Sequence, residues 1–276
     1  MGRVTTLDYF EIDVFATGAF TGNPLAVICG ADGLTGEQMR AIASWTNFSE
    51  TTFLLPPTHP EADYRVSIFT PTEEYEFAGH PTLGTARAWL ELGNTPRTPG
   101  RVVQECGVGD VEVRVDGPTL AFATPPLKRS GCLSDGERAE VCDTFGVEKQ
   151  LLIDASHGDN GPGWTLALLD GLETLRGLRR PAGSELKVAF AALTGGDDPA
   201  YELRAFTPAF EDPVTGSANG AMAQWLRRRG DVPERYTVSQ GTALGRDGRV
   251  KIVDDGADIW VGGLADVRVR GTIGVG

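Results

Sequence analysis

Long apolar runs are missing from this chain. Nothing in its 276 residues approaches the ~18 apolar residues in a row that a bilayer-spanning helix needs, so no membrane-spanning helix is expected. The opening stretch, MGRVTTLDYFEID, has no apolar signal core and reads directly into a strand, which makes the cytoplasm the expected compartment. Basic clusters are also scarce, and the net charge is −13. The densest basic run, Arg227, Arg228 and Arg229, falls where a helix should end, and positive charge there offsets the macrodipole. Nucleic acid and anionic membranes are therefore not expected partners. The four cysteines, Cys29, Cys106, Cys132 and Cys142, form no CxxC pair and have no neighbouring histidine, which fits reduced, packed thiols. The three histidines, His59, His80 and His157, lack metal-ligand spacing, so no metal site is expected. A P-loop is absent, and so is a GxGxxG between a strand and a helix, which leaves nucleotide binding without its usual fingerprint.

What the chain does contain is an internal repeat. Residues 69–93, FTPTEEYEFAGHPTLGTARAWLELG, align without a gap on residues 206–230, FTPAFEDPVTGSANGAMAQWLRRRG. The offset of 137 is almost half the chain, and seven of the 25 positions are identical, where ordinary composition gives roughly two. Tyr64 and Tyr201 extend the match upstream, and VEVRVDGPTLAF at 111–122 lines up with VKIVDDGADIWV at 250–261. Such doubling predicts two like lobes, 1–125 and 126–276, related by a pseudo-twofold axis, with corresponding loops facing one cleft. The last strand is allowed to pack back on the first lobe.

Hydropathy patterning supplies the elements. Strands are expected over 8–15, 25–28, 52–55 and 64–69. A hairpin over 111–122 turns at Asp116-Gly117. In the second half, strands are expected over 164–169, 201–206, 236–240 and 250–253. Thr124, Pro125 and Pro126 with residues 128–130 form the expected crossover. A short amphipathic helix is expected at 35–44. The two repeated helices, 82–92 and 218–228, differ in kind. Ala218, Ala221, Met222, Trp225 and Leu226 make one apolar stripe, whereas Leu83, Ala86, Ala88, Trp89, Leu90 and Leu92 cover more than one face. A helix apolar most of the way round is usually buried. A sheet curled around a central helix, twice over and mostly antiparallel or mixed, follows.

Both central helices open on glycine and polar residues: Gly79-His80-Pro81-Thr82 and Thr215-Gly216-Ser217-Ala218-Asn219. Free N–H groups at such starts favour an anion, and two of them brought together would hold a carboxylate and stabilise an enolate. They also read as ordinary capped turns. Proton transfer needs a group whose pKa is tunable toward neutrality. Glu50, His80 and Asp212 are the candidates. Each also has a structural reading: Glu50 as a turn carboxylate, His80 as a histidine bonded to nearby backbone, Asp212 as the start of an Asp-Pro turn. A hydrolase triad of Ser217, His80 and Asp212 is a weaker reading, because VTGSANG lacks the first glycine of a GxSxG elbow.

Five segments together resemble the PhzF family of phenazine-biosynthesis-like isomerases: DVFATGAFTGNPLAVI (13–28), NFSETTFLL (47–55), FAGHPTLGTA (77–86), RAFTPAFEDPVTGSANG (204–220) and VSQG (238–241). The resemblance implies an α+β, diaminopimelate epimerase-like fold and a site between the lobes. It also implies a homodimer, no cofactor, and a small carboxylated substrate. The family's best-known member isomerises a dihydro-hydroxyanthranilate by moving a proton between ring carbons on a glutamate. By resemblance, Glu50 is that glutamate, His80 and Asp212 are its catalytic partners, and Asn23, Gly79, Gly216, Ser217 and Gln240 are substrate-binding. Related epimerases use two cysteines at the helix turns, but here Ala78 and Thr215 precede the two glycines, so two-thiol chemistry is not available there. Only Ala209 and Phe210 separate Pro208 from Glu211, fewer residues than the family commonly carries. A catalytically idle metabolite- or protein-binding member of the same fold is the alternative.

Overall fold

The computed structural model describes residues 5–196 and 198–275. They fall into two compact units, Met1–Ala123 with Gly262–Gly276, and Thr124–Val261. In the first unit the chain runs β1 (Thr5–Val14), β2 (Asn23–Cys29), α1 (Gly36–Thr46), β3 (Thr51–Leu55), β4 (Tyr64–Phe69), β5 (Glu74–Tyr75), α2 (Gly79–Glu91), β6 (Arg101–Cys106), β7 (Gly109–Asp116) and β8 (Thr119–Ala123). In the second it continues through β9 (Arg129–Cys132), α3 (Asp135–Phe145), β10 (Leu152–Asp159), β11 (Trp164–Leu169), α4 (Leu172–Gly177), β12 (Val188–Leu193), β13 (Tyr201–Phe206), β14 (Glu211–Asp212), α5 (Gly216–Arg229), β15 (Arg235–Gln240) and β16 (Gly248–Asp254). The final strand, β17 (Ile259–Val275), pairs with β1 and with β8, so the first unit's sheet closes on itself.

The repeat is visible in the pairing of each unit. β2–β3 and β4–β6 are parallel, and β1–β2, β3–β4 and β6–β7 antiparallel. The second unit repeats this pattern, with β11–β12 and β13–β15 parallel and β10–β11, β12–β13 and β15–β16 antiparallel. The sheets are mixed, as the tight turns and interleaved helices predict.

α2 and α5 are the central helices. Ten of α2's residues are buried, from Gly79 through Trp89, and Ala78 precedes it in extended conformation without a side-chain cap. Gly84 permits the close approach to the sheet: a Cβ there would lie 2.5 Å from Leu25 Cδ2 and 3.2 Å from Val14 Cγ2. The other sheet faces are covered too. Met39 and Ala43 of α1 join Ile28, Phe53 and Phe69 in one cluster, where Phe53 and Phe69 meet edge to face at 5.7 Å. In the second unit, Phe145 of α3 packs on Phe190 and Phe206, with centroids 4.8 and 5.3 Å away. With both faces covered, β3 and β13 are buried along their whole length. That is why TTFLL shows no polar alternation, whereas YELRAF does alternate and its Glu202 and Arg204 are buried in ion pairs with Arg176 and Glu211.

Three differences from the sequence reading have local causes. Arg129 and Ser130, expected in the crossover, belong to β9, a fully exposed strand paired with β10, and no buried side chain marks it. The central helices start two or three residues earlier than the apolar pattern, at Gly79 and Gly216, because their first turns are built from glycine and polar residues. Arg227, Arg228 and Arg229 do end α5, but Arg227 also donates to Asp254 at 2.8 Å and to the Val232 carbonyl at 2.9 Å.

Candidate functional site

Asn23, Ser49, Glu50, Gly79 and His80 gather in the first unit. The segment before Asn23 is shaped by Asp13, a carboxyl only 3% exposed. Its oxygens accept the backbone N–H groups of Thr21 at 3.1 Å and Gly22 at 3.0 Å. Burial pushes this carboxyl above its ordinary pKa even though those N–H bonds pull the other way. Gly22 is obligatory at this bend, since a Cβ would run into the Val14 carbonyl. The chain then enters β2 with Asn23 fully inside. Glu50 arrives differently. α1 ends on Asn47 in the left-handed conformation, φ 57°, and the chain turns directly into β3. That places Glu50 at the buried end of a strand, 8% exposed.

His80, 2% exposed, occupies the first turn of α2. Its Nδ1 lies 3.3 Å from Asn23 Nδ2, and its Nε2 lies 3.5 Å from Glu50 Oε2. Ser49 donates its hydroxyl to Asn23 Oδ1 at 3.5 Å, which orients the amide with its NH2 toward the histidine. An amide nitrogen only donates, so Nδ1 accepts and the ring proton sits on Nε2, facing Glu50. Burial pulls the His80 pKa down to about 3, and the amide bond to Nδ1 favours the neutral ring as well. The 3.5 Å approach is short enough for an ion pair. Given that depressed pKa, we read it as a carboxyl group beside a neutral imidazole. The backbone-bonded histidine of the structural reading is not what the structure contains: His80 is held by a side chain.

The remaining candidates gather in the second unit, at the start of α5. Gly216 is its first residue and Ser217 its second. Asp212, 7% exposed, lies in β14, four residues upstream. The tight turn after β13 is closed by Thr207, whose N–H and hydroxyl both reach the Phe210 carbonyl at 2.8 and 2.9 Å. Gln240 ties these parts together. Its Oε1 accepts from Thr215 N–H at 3.0 Å and Asn219 Nδ2 at 2.8 Å. Its Nε2 donates to the Asp212 carbonyl at 3.0 Å and to Thr215 Oγ1 at 2.9 Å. Four bonds use the full capacity of an amide, so Gln240 holds the loop and helix in register.

Sequence reasoning passed over several residues that set this geometry. Ser49 orients Asn23. Arg204, inside a quoted motif but given no role, forms a bidentate pair with Glu211, next to Asp212, at 2.8 and 2.7 Å. Trp164 donates its indole N–H to Ser217 Oγ at 3.0 Å. Among the described residues no group of three or more His, Cys, Asp or Glu side chains is arranged to hold a metal ion.

The family model for phenazine biosynthesis-like proteins, PhzC-PhzF, matches residues 12–272. The chain belongs to this family. A curated relative from Schizosaccharomyces pombe, "Antisense-enhancing sequence 1", is 34% identical over 298 aligned positions, covering 97% of this chain and 99% of the relative. The trans-2,3-dihydro-3-hydroxyanthranilate isomerase of Pseudomonas aeruginosa is 33% identical over 260 positions, covering 90% of this chain and 91% of the relative. A crystal structure of a Bacillus anthracis PhzF-family protein superposes with a TM-score of 0.82 at 24% identity, covering 98% of this chain and 99% of that one. The fold is thus the α+β, diaminopimelate epimerase-like one that the resemblance implied, and the chain is an isomerase of the PhzF type. No described helix is long and apolar enough to cross a membrane.

Proposed function

We propose that this isomerase moves a proton between two carbons of a small carboxylated, amino-bearing metabolite of the dihydro-hydroxyanthranilate kind, with Glu50 as the carrier. The observation that carries this reading is the Glu50 carboxyl set 3.5 Å from the Nε2 of a buried histidine. Glu50 takes a proton from one carbon of the substrate and returns it to another. Proton and electron pair stay within the same molecule, so the sum is an isomerisation, and the enol so formed relaxes to its ketone. His80 remains neutral throughout, and its Nε2–H steadies the carboxylate when Glu50 is ionised. Asp212 is assigned a second catalytic role, and Gly79, Gly216 and Ser217 substrate binding. The reaction as written needs no cofactor. A homodimer is proposed with it, on the family resemblance.

The test is conversion of trans-2,3-dihydro-3-hydroxyanthranilate by the wild-type protein and by Glu50→Gln, followed by NMR. The amide variant is nearly isosteric and should keep the wild-type melting temperature. Its turnover should drop at least ~100-fold, the low end for a general acid–base group. Wild-type turnover by the folded variant would remove Glu50 from the mechanism. Failure of the wild type to convert the compound would remove this substrate.

A further inference from the structure

We infer that Trp164 is a positioning residue that fixes the Ser217 hydroxyl as a hydrogen-bond donor to a carboxylate oxygen of the substrate. This rests on the proposed role of Ser217 in substrate binding and extends it to a residue outside every quoted motif.

An indole N–H can only donate, and Trp164 Nε1 stands 3.0 Å from Ser217 Oγ. Ser217 therefore accepts in this bond and keeps its own proton for another partner. Serine and threonine in helices usually give that proton to the carbonyl one turn back. Thr82 and Thr85 of α2 do so, at 2.9 Å to Ala78 and 2.7 Å to Pro81. Among the described residues, no acceptor takes the proton of Ser217, although the side chain is only 5% exposed. A buried hydroxyl whose lone pair is engaged and whose proton is not is set up to receive an acceptor from outside the chain. The backbone N–H of Ser217, second in α5, also has no carbonyl one turn earlier in the helix. One residue thus offers two donors, a combination suited to an anionic oxygen.

The support is rigid. Trp164 opens β11, is 4% exposed, and pairs with Gly158 across the β10–β11 hairpin. Asn160, in the turn of that hairpin, donates Nδ2 to the Ser217 carbonyl at 2.9 Å. One hairpin therefore holds Ser217 by its side chain and by its backbone. A nucleophilic serine must pass its proton to a base, and among the described residues no base accepts from the Ser217 hydroxyl.

The experiment combines kinetics with a spectroscopic reading of Trp164 itself. The indole 15N–1H resonances of the wild-type protein are recorded, and that of Trp164 is assigned by its loss in Trp164→Phe. Anthranilate, a stable aromatic carboxylate, is then titrated in. The Trp164 resonance should move on titration, and it should shift in Ser217→Ala and stop responding there. In turnover, Ser217→Ala should raise KM ~10-fold or more, as expected for losing a bond to a charged group. Trp164→Phe should raise KM ~3- to 10-fold with kcat little changed, since the donor remains but is no longer aimed. In the Ser217→Ala background, Trp164→Phe should add nothing further, because it acts only through that hydroxyl. An unmoved Trp164 resonance, whether anthranilate fails to bind or binds elsewhere, overturns the inference, and so does full additivity. If Trp164→Phe folds poorly, the wild-type and Ser217→Ala titrations decide alone, with the resonance assigned from the milder Asn160→Ala variant. A responding Trp164 in a protein that does not turn over the dihydro compound would sink the proposed reaction and leave this inference standing.

Discussion

Asn23 and His80, 57 positions apart, are joined by a 3.3 Å contact between the amide Nδ2 and the ring Nδ1, and that contact decides where the histidine carries its proton. Without it the neutral ring would distribute the proton between both nitrogens. With it, Nε2–H faces Glu50. Asn23 thus acts on the candidate proton carrier through His80.

Replacing Asn23 with alanine should therefore release the tautomer and leave the fold largely intact. We expect long-range 15N NMR to show a single Nε2–H form of His80 in the wild type and a mixture in Asn23→Ala. Turnover should fall ~10- to 100-fold, a partial loss of the general acid–base contribution. A wild-type tautomer in the variant would show that something other than Asn23 fixes the ring.

His80 also makes the protein acid-sensitive. Its pKa is about 3 in the folded state and near 6.5 once unfolded. Between those values the unfolded chain binds a proton that the folded chain does not, so stability falls as pH drops from about 6.5 toward 3. The limiting slope for one proton is about 1.4 kcal/mol per pH unit. Urea unfolding at pH 7 and pH 5 should show this loss in the wild type and a smaller loss in His80→Gln. Equal losses in both would mean that the ring titrates alike in the folded and unfolded chain, and a smaller loss in the wild type would mean that it is charged in the fold and paired with Glu50.

The sequence made the frame of the molecule readable and left its cross-links hidden. β4 and β13 run from Tyr64 to Phe69 and from Tyr201 to Phe206, the same bounds that hydropathy and the 137-residue offset indicate. The glycine-started helices were legible for the same reason, since the repeat marks them twice. β9 and β10 were not. RSGC is wholly exposed, and LIDASHGD mixes buried and exposed positions without alternation. Glu50, His80 and Asp212 were singled out as candidates through short motifs. Their supports were not, because the Trp164–Ser217 bond spans 53 positions and the Ser49–Asn23 bond 26, and such long-range hydrogen bonds leave no local periodicity to read.

The proposed chemistry uses no thiol and no bound group, which gives a further check. Cys132 is exposed and Cys106 half-buried, whereas Cys29 and Cys142 are buried; none lies in either helix turn. Turnover should survive dialysis against a chelator and alkylation of the accessible thiols, with circular dichroism confirming the fold. Prompt loss in a folded sample, restored by zinc or a reducing agent, would show a different chemistry.

Arg204 and Glu211 meet almost out of solvent, with side chains 4% and 10% exposed. Arg204 spans β13 and β14 through its two bonds to Glu211, and its Nη1 reaches the carbonyls of Leu175 at 3.0 Å and Leu178 at 2.9 Å. The pair therefore fastens the short β14 strand, and Asp212 with it, to the end of α4. Removing one partner strands a buried charge, which costs roughly 3–5 kcal/mol, whereas replacing both with apolar residues of similar size is often close to neutral. Arg204→Met and Glu211→Gln should each lower the unfolding free energy by about that amount, or somewhat less for the neutral amide. The double variant Arg204→Met/Glu211→Leu should recover much of the loss. Turnover by the double variant then separates stability from positioning. If the pair also aims Asp212, activity should stay low in a protein that is again stable. If turnover returns with stability, Gln240 and the Thr207 turn are enough to place Asp212, and the ion pair serves the fold alone.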